Sequence, residues 1–379
     1  MYTRILETPD RSFFLLGPRG TGKSSWIRSA LPAAKVFDLL ASETYLELLA
    51  NPARLGERIP PGFQGWVVID EIQKAPAILD EVHRLIETRS IRFALTGSSA
   101  RKLRRKGINL LAGRARTQQM FPLTTVELGK DFDLPWSLVH GTLPTVQVDR
   151  DPRRTRSYLK SYVQSYLREE VQQEGLTRNI AAFSRFLEAA SFSQGAMLNI
   201  SEVARECHVE RKMVESYFDI LDDLLIATRL PVFARRARRE VVVHPKFYFF
   251  DVGVWRAIRP RGPLDTDAEI DGPALETLLL NELRALNEYR SLDYQIHYWR
   301  TRDGLEVDFV LYGERGLVAF ETKRAARLRS DDFSSLQAFR EAYPMAKTIL
   351  AYGGTRTYRE GSVEVVPYGD CLRRLSEWL

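Results

Sequence analysis

Cysteine is nearly absent. Cys207 and Cys371 are the only two in 379 residues and form no C-x-x-C pair, so neither a disulfide framework nor a zinc knuckle is available. The five histidines are scattered, and none pairs with a cysteine at a ligand spacing. No stretch approaches the ~18 apolar residues that cross a bilayer, and the N-terminal segment lacks a charged-then-apolar leader. A membrane partner is therefore not expected, and the expected location is the cytoplasm. Internal repeats and low-complexity tracts are also missing. What remains is a composition 44% hydrophobic and 27% charged, the balance of a chain that builds cores. At about 100–200 residues per domain, its length predicts two or three of them. Net charge is +6 with pI near 9.2, and the basic residues cluster in RKLRRK at 101–106 and RRARR at 235–239. Such runs suit a polyanion, nucleic acid first, when they are not simply solvated loops.

The most informative stretch is Phe13–Ser25, FFLLGPRGTGKSS. An apolar strand runs into Gly17-Pro18-Arg19-Gly20-Thr21-Gly22-Lys23-Ser24, which fits G-x-x-x-x-G-K-[ST], and a helix can begin at Ser24. Glycines let backbone N–H groups curl around phosphate oxygens, and a helix N-terminus adds partial positive charge. Lys23 would reach the β- and γ-phosphates, Ser24 would hold Mg²⁺, and Arg19, Thr21 and Ser25 complete the cradle. Downstream, Trp66–Ile69 is an apolar strand ending in Asp70-Glu71. Asp70 would hold Mg²⁺ through water and Glu71 would polarise the attacking water, so hydrolysis of ATP is expected rather than binding alone. The next strand, Ile91–Leu95, leads into Thr96-Gly97-Ser98-Ser99, where Ser98 or Ser99 would sense the γ-phosphate or cap a helix.

The middle of the chain reads as helical. Amphipathic spacing covers Tyr158–Leu167 and Ile180–Ala190. A short helix capped by Ser201 and a longer one, Arg211–Leu225, make a helix–turn–helix, and two strands around the RRARR run would complete a winged helix. Arg211 and Lys212 open its second helix, with the basic run as the wing; phosphate contacts from these would give affinity without sequence choice. A role as spacer or protein contact is the alternative.

In the last third, a helix Pro273–Tyr289 carries Glu276. Leu305–Leu311 and Leu317–Lys323 form a hairpin around Tyr312–Gly316. Side chains two apart share a strand face, so Glu321 and Lys323 point together and the hairpin brings Asp308 beside them. Asp308 and Glu321 would hold Mg²⁺ or Mn²⁺, and Lys323 would orient a water for attack on a phosphodiester.

Two resemblances follow from these residues. GPRGTGKSS, VVIDEIQKAP, LTGSSARKL and LLAGRARTQQMFPLT look like the prokaryotic AAA-type ATPases with a C-terminal domain of uncharacterised role, and the resemblance spans the chain. It implies ATP hydrolysis, a homo-oligomer formed through the ATPase domain, and Arg114 as an arginine finger or sensor, with Arg116 as a competitor for that part. Glu276, Asp308 and Glu321-Thr322-Lys323 are similar to the PD-(D/E)XK nuclease superfamily, without its proline. The expected architecture is α/β: a P-loop AAA-type ATPase with a parallel sheet over 1–145, a helical and winged-helix region over 146–245, and a PD-(D/E)XK nuclease-like domain over 246–379. The expected function is ATP-linked DNA processing. A non-cleaving DNA-binding or remodelling protein and a signalling ATPase that binds protein are the alternatives.

Overall fold

A computed structural model describes residues 2–99, 114–167, 169, 179–234, 244–263 and 265–379. The chain divides into two compact units. One is Thr3–Pro122 with Asp223–Ile226; the other is chiefly Leu123–Asp222 and Ala227–Leu379.

The first unit is built on β1 (Phe13–Leu16), β2 (Lys35–Asp38), β3 (Trp66–Asp70), β4 (Arg92–Gly97) and β5 (Arg116–Gln119). These pair in parallel in the order β2-β3-β4-β1-β5. Every residue of β1 is buried, as in a strand covered on both faces by crossover helices. Those helices include α1 (Lys23–Ala30), α2 (Ser42–Ala50), α3 (Arg54–Arg58) and α4 (Ile78–Arg89). Ile78, Leu79, Val82 and Leu85 recur at helical spacing along α4 and pack with Phe14, Leu16, Phe37, Ile69 and Phe93. Because β3, β4 and β1 are neighbours and parallel, their C-terminal ends open at one edge of the sheet. That edge is where a doubly wound sheet takes its ligand.

The second unit begins with helices and closes on a sheet. Ile200–Cys207 and Arg211–Asp223 are the two helices of the helix–turn–helix, joined through His208 at φ 52°. The first is capped by Asn199, whose side chain accepts from the Glu202 N–H, and not by Ser201, which lies inside the helix. β6 (Ala227–Leu230) and β7 (Lys246–Phe249) then pair antiparallel. The basic runs at 101–106 and 235–239, and the strand expected over 241–243, lie outside the described residues.

A six-stranded sheet follows, from β8 (Gln295–Arg300), β9 (Glu306–Gly313), β10 (Gly316–Lys323), β11 (Lys347–Tyr352), β12 (Tyr358–Glu360) and β13 (Val363–Pro367). Its order is β12-β13-β11-β10-β9-β8, with β10, β11 and β13 parallel and the remaining pairs antiparallel. Val307, Val310, Leu317, Ala319 and Leu350 pack on Leu336 and Phe339 of the helix Ser334–Ala342. The long helix starts six residues before the expected Pro273. It runs Asp267–Tyr289 from a capping box of Thr266 and Glu269, with Pro273 inside it.

Candidate functional site

The first centre lies at the open edge of the parallel sheet. Gly17 to Gly22 link β1 to α1, and Lys23, Ser24 and Ser25 form the first turn of α1. Gly22 is the N-cap at φ 96°, a left-handed conformation that side chains resist. The Thr21 hydroxyl donates to the Pro18 carbonyl at 2.8 Å and pins the loop. The Lys23 side chain is buried. Its ammonium donates to the Gly17 carbonyl at 2.7 Å and the Pro18 carbonyl at 3.1 Å, curled into the loop whose phosphates it would neutralise.

From β3, Asp70 meets this loop. Ser24 Oγ donates to Asp70 Oδ2 at 3.0 Å, and Thr96 Oγ1, from β4 between them, donates to Oδ1. Thr96 Oγ1 also accepts from the Glu71 N–H at 3.3 Å. Ser24 and Asp70 are thus an oxygen pair at the end of the phosphate loop, a donor set that fits Mg²⁺ bound with a nucleotide. Glu71 sits at φ 61° just past β3. Gln73 Nε2 donates to Glu71 Oε2 and, at 3.1 Å, to Ser98 Oγ. One buried amide therefore ties the Glu71 carboxylate, expected to polarise water, to the Ser98 hydroxyl, expected to sense phosphate. Ser99 turns away and donates to the Asp223 carbonyl at 3.0 Å.

Arg114 is elsewhere. It precedes β5, whose Arg116 is in register with Phe13 at the start of β1, while the phosphate loop follows the end of β1. The four residues of β1 span roughly 13 Å. Arg114 forms an exposed ion pair with Glu87 of α4, which lowers the Glu87 pKa. Within its own chain this arginine does not face the phosphate loop.

Sequence reasoning missed Gln73 and Thr96. Gln73 stands two residues after Glu71 in DEIQKAP, in the short helical turn Ile72–Lys74 that follows β3, and a buried glutamine needs polar partners. Thr96 lies in the one strand between β1 and β3.

The second centre is in the other unit. The β9–β10 register, with Phe309 opposite Phe320, continues one step to set Asp308 beside Glu321. Lys323 Nζ lies 2.8 Å from Glu321 Oε1. Asp308 Oδ2 accepts from the Thr322 N–H at 2.8 Å and the Thr322 hydroxyl at 2.9 Å. Glu276 comes over this face from the long helix. The four residues that the sequence singled out do converge.

They are joined by three that it did not. Lys246 and Tyr248, two apart on β7, point the same way. Tyr248 donates to Glu276 Oε2 at 2.6 Å, and Lys246 Nζ lies 3.4 Å from that same oxygen and 3.8 Å from Asp308 Oδ1. Lys246 also pairs with Glu306, which shares the Asp308 face of β9 and pairs with Arg300 at 2.6 Å. Alternation in KFYF and LEVD was the available signal, since it puts Lys246 with Tyr248 and Glu306 with Asp308.

Burial raises the Glu276 pKa to about 7 and the Glu321 pKa to about 8, with Asp308 adding repulsion in both cases. Asp308 is raised as well, chiefly by burial, against the attraction of Lys246. Burial alone would lower Lys246, yet Glu276, Tyr248, Asp308 and Glu306 together carry it well above its ordinary value. Beside Asp308 and Glu321, the residues expected to hold Mg²⁺ or Mn²⁺, stand the ammonium groups of Lys246 and Lys323. The Lys246 ammonium contacts Glu276 and Glu306 and lies 3.8 Å from Asp308 Oδ1. The other Asp308 oxygen is committed to Thr322, and Glu321 Oε2 is buried with no hydrogen-bond partner among the described residues. Among the described residues, no group of three or more His, Cys, Asp or Glu side chains is arranged to hold a metal ion.

Residues 9–129 match the model of an AAA domain, a match that supports an AAA-type ATPase, for which ATP with Mg²⁺ beside it are the implied ligands. Residues 132–265 and 271–371 match two domains of unknown function, DUF8612 and DUF4143, and the PD-(D/E)XK resemblance gains nothing from either. A comparison of the chain with curated proteins finds no match. Among the described residues, no helix is long and apolar enough to cross a membrane.

Proposed function

We propose that this protein is an ATP-hydrolysing switch whose nucleotide state controls binding of DNA, without metal-dependent cleavage of it. The observation that carries the ATPase reading is the meeting of Lys23, Ser24, Asp70 and Glu71 at one edge of a parallel sheet, with Gln73 bridging Glu71 to Ser98. In this reading Lys23 leaves the Gly17 and Pro18 carbonyls for the β- and γ-phosphates, while the loop N–H groups hold them. Ser24 and Asp70 would hold Mg²⁺, which would supply charge neutralisation at the phosphates. Glu71 orients the attacking water and takes up its proton, and Gln73 passes loss of the γ-phosphate from Ser98 to Glu71. Arg114 faces away from its own phosphate loop, so as a finger it serves a neighbouring copy in a homo-oligomer.

DNA as the partner is supported by the +6 net charge and by exposed cations on helices of the second unit. Arg211 and Lys212 are exposed at the start of the second helix of the helix–turn–helix, and Arg153, Arg154, Arg156 and Lys160 are exposed on Pro152–Ser161. Such cations meet phosphates without reading bases. The test is fluorescence anisotropy with labelled duplex and branched DNA, with and without ATP, over a salt series. Binding should weaken linearly in log–log salt, and Arg211→Ala with Lys212→Ala should lower that slope by about one for each phosphate no longer neutralised. DNA affinity that is absent, or that ignores both salt and nucleotide, overturns the reading in favour of a protein partner.

The second reading is a metal-dependent nuclease at Glu276, Asp308, Glu321 and Lys323, which the convergence of these side chains favours. It requires DNA cutting with Mg²⁺ or Mn²⁺ that Asp308→Ala abolishes. The proposed reading expects no such cut.

A further inference from the structure

The carboxylates around β9 already have a cation. Lys246 projects from β7 with its side chain only 2% exposed. Its Nζ lies 3.4 Å from Glu276, 3.8 Å from Asp308 and in contact with Glu306, and 5.7 Å from the centre of the Tyr298 ring. The backbone behind it is fixed: Lys246 pairs with Leu230 in the β6–β7 ladder and bridges to Met197. A lysine on a surface strand could withdraw its head into water and make room for a metal. This one has no such path, because its stem is enclosed and its base is held by two strand contacts. Moving it off the carboxylates would leave its own buried charge unpaired. A divalent ion held by Asp308 would then sit against a fixed positive charge 3.8 Å from Asp308 Oδ1.

We propose that Lys246 is the resident cation of this cluster, standing in place of a divalent metal and keeping metal out. The cluster is then a charge-balanced joint between β7, the long helix and β9. Lys323 with Glu321, and Arg300 with Glu306, balance its flanks. The inference is independent of the DNA reading, since metal binding is measured with no nucleic acid present.

The test is Mn²⁺ titration of the full chain without nucleotide, followed by the electron paramagnetic resonance signal of free Mn²⁺. Four proteins are compared: the wild type, Asp308→Asn, Lys246→Met and the Lys246→Met/Asp308→Asn double variant. Any Mn²⁺ held near Ser24 and Asp70 is common to all four and cancels in the Asp308→Asn differences. The wild type should show no Mn²⁺ uptake that Asp308→Asn removes. Lys246→Met should gain one site, and the double variant should lose it. Wild-type uptake that is sensitive to Asp308→Asn overturns the proposal, and so does a folded Lys246→Met protein that gains nothing. Should Lys246→Met fail to fold, the wild-type comparison still decides, and Lys246→Arg, which keeps the charge, should match the wild type.

Discussion

Glu282 provides a sharp test of how burial sets the energetics of the second unit. It lies inside the long helix, 2% exposed. Its Oε1 accepts from the Thr125 N–H at 2.5 Å and the Thr125 hydroxyl at 2.6 Å, while Oε2 is buried with no hydrogen-bond partner among the described residues. Burial raises its pKa from 4.5 to about 8, more than the two Thr125 bonds lower it, and Glu127 adds repulsion. The sign follows from proton counting. Between pH 4.5 and 8 the native state keeps a proton that the unfolded chain releases, so this group's contribution is fully favourable below pH 4.5 and is lost as pH rises through the window. At about 1.4 kcal/mol per pH unit, the loss by pH 8 is on the order of several kcal/mol. Glu282→Gln places an uncharged isostere there: its oxygen can accept both Thr125 bonds, and its amide replaces the orphaned Oε2. Differential scanning calorimetry should show the variant's midpoint raised by roughly 5–10 °C at pH 8.5. At pH 5 the two proteins should differ by less than about 1 kcal/mol. A variant no more stable at pH 8.5, or one with the wild type's full pH dependence, would refute the reasoning.

Two further perturbations probe the sites. Gln73→Leu cuts the link between Glu71 and Ser98, so kcat for ATP should fall roughly 10–100-fold with KM little changed, and an unaltered kcat would deny Gln73 a positioning role. Gly253→Ala would set a Cβ 1.9 Å from the His140 carbonyl, where the neighbour is backbone and cannot yield. Thermal unfolding should report a loss of about 1–3 kcal/mol or more, and a midpoint within a degree of the wild type would contradict the close approach.

The first site was legible because its signals are local. A buried strand, a glycine-rich turn and a helix start are contiguous in FFLLGPRGTGKSS, and a second strand announces itself by ending in Asp-Glu. The hairpin of β9 and β10 was legible for the same reason, since alternation and one short turn fix which side chains share a face. Lys246 was not. Its partners Glu276, Glu306 and Asp308 come from later elements, and nothing in KFYFFD says that the strand lies against them. Tertiary packing alone turns that lysine from a solvated charge into the centre of the cluster. The long helix was misread for a different reason: Pro273 suggested an N-terminus, but Thr266 and Glu269 form a capping box seven residues earlier, and the helix tolerates the proline. Ser201 was likewise a reasonable cap, and Asn199 holds the position because its side chain reaches the Glu202 N–H.

The central claim is that Lys23, Asp70 and Glu71 form a working ATP-hydrolysing site, and ATP turnover with Mg²⁺ tests it most directly. The wild type should release phosphate. Lys23→Ala should lose both turnover and nucleotide affinity, whereas Glu71→Gln should still bind ATP but turn it over at least about a hundredfold more slowly. Phosphate release by both variants at the wild-type rate would contradict the account.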